Sequence, residues 1–454
     1  MKNLDYQEDD IIYALATPLA PSALAIIRIS GQGCKEQLAP YFSKPKALLE
    51  GKSHTLVHGK LLSFKKGETI DEVLLSLFNK KRGYTGQESI EIACHGSLFG
   101  IESIFFLLSE IGFRSASPGE FTFRAFKNGR VDLTQAEAVM EIVHSHSHKA
   151  HSLALNRLEG DLFKRMDSLK SLTLNAMSSI EVQLDYAEDD FSDEVLFPFD
   201  IINEVKDSID SLIETYSVGK MYKEGALVVL AGSTNAGKST LFNLLMKSER
   251  SIVSSIHGTT RDFIEGHTVI GGFPITLFDT AGLRDSSDAI EMEGIKRSRY
   301  LVDKSHVIIL LVDGDEAELQ MSEHLDIIDD PRCITVYNKS DIATRSIPEG
   351  ALAISAKNGQ GFGKLEELIL AKIKKDMPLL QGDSIIIESK RQRDELIVTS
   401  KALSKALEMA NESVPLDLIA VEVQEALSAL GELTGEVTSY DILEQIFSGF
   451  CVGK

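Results

Sequence analysis

The sequence predicts a multidomain chain of mixed class: an N-terminal α+β region, a helical region in two pieces, and an α/β block inserted between those pieces. Three observations predict it. Short β-rich runs punctuated by Gly and Pro occupy roughly the first 120 residues. Apolar residues then recur at helical spacing, and the same pattern returns near the C-terminus. Between the two helical stretches lie continuous apolar runs such as Val307-Ile308-Ile309-Leu310-Leu311-Val312, the mark of parallel strands buried on both faces. With 454 residues the chain has room for about two to four domains, and an apolar share of 43% is that of a folded protein.

In the first region the strand candidates are Ile11–Thr17, Ala23–Ser30, His54–Phe64, Glu72–Phe78 and Ser89–His95. Leu98–Ile111 has helical spacing and stops before Gly112. The stretch from Ile11 to Ile27 is mostly apolar, but Pro18 and Pro21 interrupt it and Thr17 and Ser22 are polar. It reads as two strands joined by a turn, not as a membrane span. The acidic N-terminus is no secretory leader, and no other run approaches spanning length, so no membrane association is expected. Arg28 interrupts the strand Ala25–Ser30, Glu91 sits within Ser89–His95, and Arg130 follows Gly129. By spacing alone each reads as a surface or salt-bridged residue.

From Thr134 to about Tyr216 the pattern is helical. His144, His148 and His151 would share one face of a continuous helix, at i, i+4 and i+7. No acidic or cysteine partner completes a metal set at firm spacing, so a solvated helix face is the reading. The acidic stretch Ala187–Glu194 reads as a loop between helices.

The inserted block opens with Ala226–Ala231, a buried strand, followed by Gly232-Ser233-Thr234-Asn235-Ala236-Gly237-Lys238-Ser239 and a helix beginning near Thr240. This is a phosphate-binding loop in its meaningful context of strand before and helix after. Its backbone N–H groups and the helix N-terminus favour phosphate, Lys238 can reach the outer phosphates, and the Ser239 hydroxyl can ligate Mg²⁺. Four further elements follow in order. Gly258-Thr259-Thr260-Arg261-Asp262 supplies the Thr260 hydroxyl for Mg²⁺ and the γ-phosphate. Asp279-Thr280-Ala281-Gly282 follows the strand Pro274–Phe278; Asp279 can hold Mg²⁺ through water, and the Gly282 N–H can sense the γ-phosphate. Asn338-Lys339-Ser340-Asp341 follows the strand Cys333–Tyr337, and its Asp can accept two hydrogen bonds from guanine that adenine cannot donate. Ser355-Ala356-Lys357 can meet the guanine carbonyl with a backbone N–H. Together these specify a GTPase domain of the Ras-like superfamily. Where Ras-type enzymes carry a water-orienting Gln, this chain has Leu283, so either hydrolysis is feeble or another group supplies that role.

After this block the helical pattern resumes over Arg393–Asn411, Leu416–Leu430 and Tyr440–Phe447, and the last residues read as a mobile tail. Helices on both sides of the block make a discontinuous helical domain the economical arrangement: 1–120, 121–222, 223–376 inserted, and 377–454. The net charge of −21 argues against a general nucleic-acid binder, without excluding a local basic patch or a basic partner. Cys34, Cys94, Cys333 and Cys451 lie far apart, which fits a reducing cytoplasm without disulfides or structural zinc.

Taken together, these pieces resemble the MnmE (TrmE) family of tRNA-modification GTPases, over essentially the full chain. The most specific likenesses lie outside the GTPase block: Pro118-Gly119-Glu120-Phe121-Thr122-Phe123-Arg124-Ala125-Phe126, Asp132-Leu133-Thr134-Gln135-Ala136-Glu137-Ala138, Gly435-Glu436-Val437-Thr438, and the ending Phe450-Cys451-Val452-Gly453-Lys454. The resemblance implies an N-terminal domain that dimerises and binds a tetrahydrofolate derivative, in its 5-formyl or methylene form. It implies a homodimer and a heterotetramer with the FAD-dependent MnmG subunit. That complex would add an aminomethyl-type (carboxymethylaminomethyl) group to the wobble uridine of certain tRNAs, using a one-carbon unit and GTP hydrolysis. It would reach tRNA largely through the partner.

By position, the resemblance assigns folate contacts to Arg28, Glu91, Arg130 and Lys454, with Arg130 replacing the more usual Lys. The nucleotide contacts are Asn235 to Thr240, Ser254, Ser255, Ile256, His257, Gly258, Thr259, Thr260, Asp279 to Gly282, Asn338 to Asp341 and Ser355 to Lys357. K⁺ would be held by Asn235, Ser254, Ile256 and Thr259, and its charge would do the work of an arginine finger. Thr234 stands where the family usually has Pro. The water-positioning role falls to Glu291, with Glu293 two residues away as the alternative. Three rival readings compete. A ribosome-assembly GTPase would need a basic RNA-binding module that the C-terminal helices lack. A folate-dependent aminomethyl transferase with a regulatory GTPase would turn over folate without MnmG. A transporter of the FeoB kind would need membrane spans.

Overall fold

The β-rich runs of the N-terminal region pair into one six-stranded sheet. The computed structural model describes residues 10–63, 67–185, 197–233, 235–247, 264–279, 300–322, 325–345, 347–348, 350–375, 377 and 385–454. The chain divides into two units, the first made of Met1–Met140, Asn156–Phe197 and Pro415–Lys454, the second of Glu141–Leu155 and Pro198–Val414.

In the first unit the strands are β1 (Ile12–Leu15), β2 (Ser22–Ser30), β3 (Thr55–Leu62), β4 (Thr69–Phe78), β5 (Ser89–Gly96) and β6 (Arg114–Ser115). Their order is β3-β4-β5-β2-β1-β6, antiparallel throughout except for β1 beside β6. Period-two alternation sends Ile27, Ile29, Leu75, Leu77, Ile90 and Ile92 to one face, where they pack with Ile101, Ile104 and Leu108 of the helix Leu98–Glu110. The opposite face takes the residues in between, and the β2/β5 register sets Arg28 directly against Glu91. The apolar stretch from Ile11 to Ile27 is two antiparallel strands and a turn, as its prolines require.

The helices of this unit close over a small aromatic core. Phe123, Leu133, Ala136, Leu443, Phe447 and Phe450 are buried together, with Phe123 edge-on to Phe447 at 5.6 Å. Gly119 has φ +70, and a Cβ there would lie 2.4 Å from the Phe447 carbonyl oxygen, so only glycine admits the last helix, Tyr440–Ser448, this close. Asp132 starts the helix Leu133–His144 as a reciprocal capping box. Its Oδ1 accepts from the Thr134 and Gln135 N–H groups at 2.7 and 3.1 Å, and Gln135 Oε1 accepts from the Asp132 N–H at 3.0 Å. The helices Asp161–Asp185 and Leu416–Thr434 pack along each other.

The end of the chain is not loose, contrary to the expectation of a mobile tail. Phe450 is buried in the aromatic core, and Gly453 is buried with φ +97, its backbone against the Leu15 carbonyl.

In the second unit the strands are β7 (Ala226–Ala231), β8 (Ile264–Ile270), β9 (Phe273–Asp279), β10 (Val307–Asp313), β11 (Cys333–Asn338) and β12 (Leu352–Ala353). The order is β12-β11-β10-β7-β9-β8, with β8 antiparallel and the rest parallel. Val307 to Val312 are fully buried, which is why this strand reads as an unbroken apolar run. The helices Lys238–Lys247 and Phe362–Lys374 contribute Leu241, Leu245, Leu365 and Ile369 to one core. Two long helices, Phe199–Glu224 before the sheet and Lys390–Asn411 after it, pack together. Each helix pair therefore joins a segment from before the α/β block to one from after it, as a discontinuous helical region requires.

The histidine-rich stretch is not one helix face. The helix Leu133–His144 ends at His144 and a new one, His148–Leu158, begins after Ser147, whose Oγ accepts from the Ala150 N–H at 3.2 Å as an N-cap. His146, in the break, stacks on His267 of β8 with ring centroids 6.1 Å apart. Among the described residues no group of three or more His, Cys, Asp or Glu is placed to hold a metal ion. The acidic stretch Ala187–Glu194 lies outside the described residues.

Candidate functional site

The phosphate-loop residues converge at the carboxyl ends of β7, β9 and β11. Gly232 leaves β7 with φ +129, and a Cβ there would sit 2.2 Å from the Leu311 carbonyl oxygen. Gly237 has φ +95, and its Cβ would meet Asn338 Nδ2 at 2.3 Å. Both glycines of the motif are thus demanded by backbone conformation and by close approach. Lys238 opens the helix Lys238–Lys247, is 3% exposed, and turns its ammonium back over the loop, donating to the Gly232 and Ser233 carbonyls at 2.8 and 2.7 Å. Ser239 Oγ donates to Asp279 Oδ2 at 3.2 Å. Asp279 ends β9, level with Leu230 of β7, so neighbouring parallel strands bring hydroxyl and carboxylate together. That donor pair suits Mg²⁺.

Asn338 ties this loop to the segment that holds Ala356. It is 3% exposed; its Nδ2 donates to the Ala236 carbonyl at 2.7 Å and its Oδ1 accepts from the Ala356 N–H at 3.0 Å. Lys339, at φ +61, pairs with Asp313 at 2.6 Å. Asp341 is exposed, with Oδ2 accepting from Asn358 Nδ2 at 3.3 Å. Ser355 and Ala356 are buried, while Asn235, Ser239, Thr240 and Lys357 face solvent.

A second constellation lies in the first unit. Arg28 donates from Nε to Glu91 Oε1 at 3.0 Å and from Nη1 to the Gly453 carbonyl at 3.2 Å, and its Nη2 lies 2.9 Å from the same carboxylate oxygen. The guanidinium sits over the Tyr84 and Phe121 rings at 5.4 and 5.7 Å. Burial pushes the Lys454 ammonium below its ordinary pKa, and the charge of Arg28 adds to the effect. Both Arg28 contacts fall on Oε1; among the described residues Oε2 of Glu91 has no donor. Two cations, a carboxylate with an open oxygen and two aromatic rings suit a flat, polar, anionic ligand. Arg130 is exposed; its Cγ would lie 3.1 Å from a Cβ on Gly86, and it lines a cavity of about 480 Å³ with Phe126, Asp132, Glu159 and Lys164.

Residues 133–451 match the family model described as the MnmE helical domain, and residues 11–130 match that of the GTP-binding protein TrmE N-terminus. The chain belongs to the MnmE family. Full-length relatives agree. It is 39% identical over 471 residues to a tRNA modification GTPase MnmE of Borrelia recurrentis, covering 100% of both chains. The protein of the same name from Treponema denticola is 38% identical, with 99% of each chain covered. That from Alkaliphilus oremlandii is 35% identical, with 98% of this chain and 99% of that one covered. As an MnmE-family protein, the chain is a P-loop GTP hydrolase.

Of the nucleotide-site residues expected from sequence, Asn235 to Thr240, Asp279, Asn338 to Asp341 and Ser355 to Lys357 lie in or beside the phosphate loop, the first turn of its helix and the ends of β9 and β11. Thr234, Ser254, Ser255, Ile256, His257, Gly258, Thr259, Thr260, Thr280, Ala281, Gly282, Leu283, Glu291 and Glu293 lie outside the described residues. Of the four expected folate contacts, Arg28, Glu91 and the tail meet. Sequence reading missed the support beneath them. Glu120 is fully buried and Arg124 is 2% exposed; Arg124 pairs with Glu120 at 3.0 Å and with Asp10 at 2.5 Å, and it donates to Gln87 Oε1 at 3.1 Å. Burial alone would raise the Asp10 carboxyl, but hydrogen bonds from Arg114 and Arg124 hold it below its ordinary pKa. The available signal was two opposite charges at i, i+4 inside the aromatic run Glu120-Phe121-Thr122-Phe123-Arg124. Among the described residues no helix is long and apolar enough to cross a membrane.

Proposed function

We propose that the chain is a K⁺-dependent GTPase that works as a homodimer with the FAD-dependent MnmG subunit, installing an aminomethyl-type group on the wobble uridine of certain tRNAs from a tetrahydrofolate one-carbon unit. The observation that carries the reading is the docking of the C-terminal tail onto the Arg28–Glu91 pair. Residues 425 positions apart are drawn to one half-open polar site in a chain whose sequence also carries the guanine-nucleotide motifs. The names of the full-length relatives support tRNA as the substrate class.

In this reading Glu91 accepts hydrogen bonds from the amino and ring N–H groups of a pterin, and Arg28 and Lys454 flank the same ring. The folate supplies the one-carbon unit. In the GTPase domain Lys238 leaves the Gly232 and Ser233 carbonyls for phosphate oxygens, and Asp341 reads guanine. Ser239, Asp279 and Thr260 would hold Mg²⁺, which neutralises phosphate charge. The Ser239–Asp279 contact fits that ion. Asn235 would hold K⁺ with Ser254, Ile256 and Thr259, and the ion would stabilise charge developing in phosphoryl transfer. Glu291 positions the attacking water in place of the missing Gln.

Two measurements test this. GTP turnover should be faster in KCl than in matched NaCl, with Asn235→Ala losing ~10²-fold of the stimulated rate; equal rates in both salts would remove K⁺ from the mechanism. A reaction containing this chain, MnmG, tRNA, GTP, an amine donor (ammonium or glycine) and isotopically labelled methylene-tetrahydrofolate should place the label on the wobble base, as the methylene carbon between the base and the amine nitrogen. Label that never reaches tRNA would overturn the reading.

A further inference from the structure

The chain carries a net charge of −21, yet one strip of its first unit has the opposite sign. Segments 44–54 and 79–86 contain six cations, Lys44, Lys46, Lys52, Lys80, Lys81 and Arg82, against a single carboxylate, Glu50. All six cations are exposed, and among the described residues none of their side chains has an ion pair or hydrogen bond. The nearby Glu88 does not neutralise them. Its carboxylate accepts from the Gly33 N–H at 3.1 Å and lies 3.7 Å from the buried Lys35 ammonium.

The backbone fixes the two segments side by side. The Asn79 N–H donates to Ser53 Oγ at 3.1 Å, the His54 N–H donates to the Leu77 carbonyl at 2.7 Å, and the His54 ring stands edge-on to Phe78. Lys80 to Arg82 form a tight turn, closed by Lys81 N–H to the Gly86 carbonyl at 2.8 Å and Arg82 N–H to the Asn79 carbonyl at 2.9 Å. Lys81 holds φ +66 there, a conformation maintained by those bonds. Gly86 abuts Arg130, so the turn borders the candidate one-carbon residues.

We propose that this strip is a phosphate-backbone contact through which the chain itself holds tRNA. A small anion would call for a buried, converging site. Long, solvated, unpaired cations displayed along ordered turns suit successive phosphates of a polymer, where they fix position and carry no sequence information. The choice of RNA as the polymer rests on the tRNA-modification reading above. The net charge of −21 disfavours RNA on surfaces that lack such a strip.

The test is fluorescence anisotropy of a labelled, unmodified tRNA transcript with the full chain, across roughly 50–200 mM salt. The variant is Lys52→Gln, Lys80→Gln and Arg82→Gln combined, none of which belongs to the GTP or folate sets. Each lost phosphate contact removes about 0.7–0.9 from the slope of log affinity against log salt. The triple variant should therefore flatten the slope by about 2–3 and weaken binding ~10²-fold at 0.1 M salt, while its GTP turnover stays that of the wild type. If turnover falls, the single variants replace it, each expected to lower the slope by about one. No salt-sensitive binding by the wild type, or an unchanged slope in the variants, would overturn the proposal. So would loss in the triple variant of binding to phosphatidylglycerol vesicles while tRNA binding persists. Because the transcript is unmodified and no turnover of tRNA is needed, failure here leaves the modification reading standing. Failure of that reading in cells would leave the measured contact standing.

Discussion

Asn338→Ala should loosen the GTPase core and its nucleotide site together. The side chain is 3% exposed and makes two hydrogen bonds to backbone groups, one to the Ala236 carbonyl in the phosphate loop and one from the Ala356 N–H. Truncation leaves both buried groups without these partners. At about 1–3 kcal/mol for each unsatisfied group, less for a carbonyl that water can reach, the loss is about 2–4 kcal/mol. That is a large fraction of the ~5–15 kcal/mol typical of a domain. Asn338→Asp separates the two bonds, because it keeps an acceptor for Ala356 but sets a carboxylate against the Ala236 carbonyl. Urea unfolding followed by circular dichroism gives the stability change, and titration with a fluorescent GTP analogue gives the affinity. Both variants should bind at least ~10-fold more weakly, since misplacing the phosphate loop by one lost alignment costs about 1.4 kcal/mol or more. An Asn338→Ala protein within about 0.5 kcal/mol of wild type, with unchanged GTP affinity, would refute the role assigned to this side chain.

Other expectations follow from particular contacts. Asp341→Asn should weaken GTP binding by about 10–100-fold and improve binding of xanthosine triphosphate, because a charged acceptor becomes an amide donor; competition titrations read both, and equal GTP affinity would sink the assignment. Glu91→Ala and deletion of Lys454 should each weaken formyl-tetrahydrofolate binding in calorimetry by about 10-fold or more with GTP binding intact. Unchanged folate affinity in both would place the pocket elsewhere. His306 accepts the Leu227 N–H on Nδ1 at 2.9 Å, and its pKa is lowered first by burial and then by the charge of Lys220. A neutral ring in the fold means that its stabilising effect is complete above the unfolded value of about 6.5 and is lost as pH falls through the lower folded value. The stability gap between wild type and His306→Ala should therefore narrow from pH 7.5 to 5.5; a constant gap would show that the bond is not titrating.

The α/β part was legible because its chemistry is written in contiguous stretches. Gly232 to Ser239 is read as a unit, and φ +129 and +95 at its outer and inner glycines are what the motif demands. The N-terminal site was legible only as a resemblance. Arg28 and Glu91 are 63 residues apart and meet through strand register, and periodicity alone left each as a surface charge. The tail was misjudged because terminal position outweighed composition, although Phe450 is an anchor and Gly453 takes a conformation that favours glycine. His144, His148 and His151 are exposed, as a solvated face requires, but they do not share one helix face, because the helix breaks between Ser145 and Ser147. Ser145 Oγ bonds back to the Ile142 carbonyl at 2.9 Å and Ser147 caps the next helix, so the two serines that end one helix and begin another were in plain view. Nothing local announced the His146–His267 stack, which joins residues 121 positions apart.

In the proposed function this chain's folate-type site and its GTPase serve one modification of the tRNA wobble base. Mass spectrometry of wobble nucleosides from cells lacking the chain, complemented with wild type, Glu91→Ala or Asp341→Asn, tests it most directly. The expected result is unmodified wobble uridine in the deletion, restoration by the wild type, and failure of restoration by either variant. Fully modified wobble uridine in the deletion strain would contradict the claim.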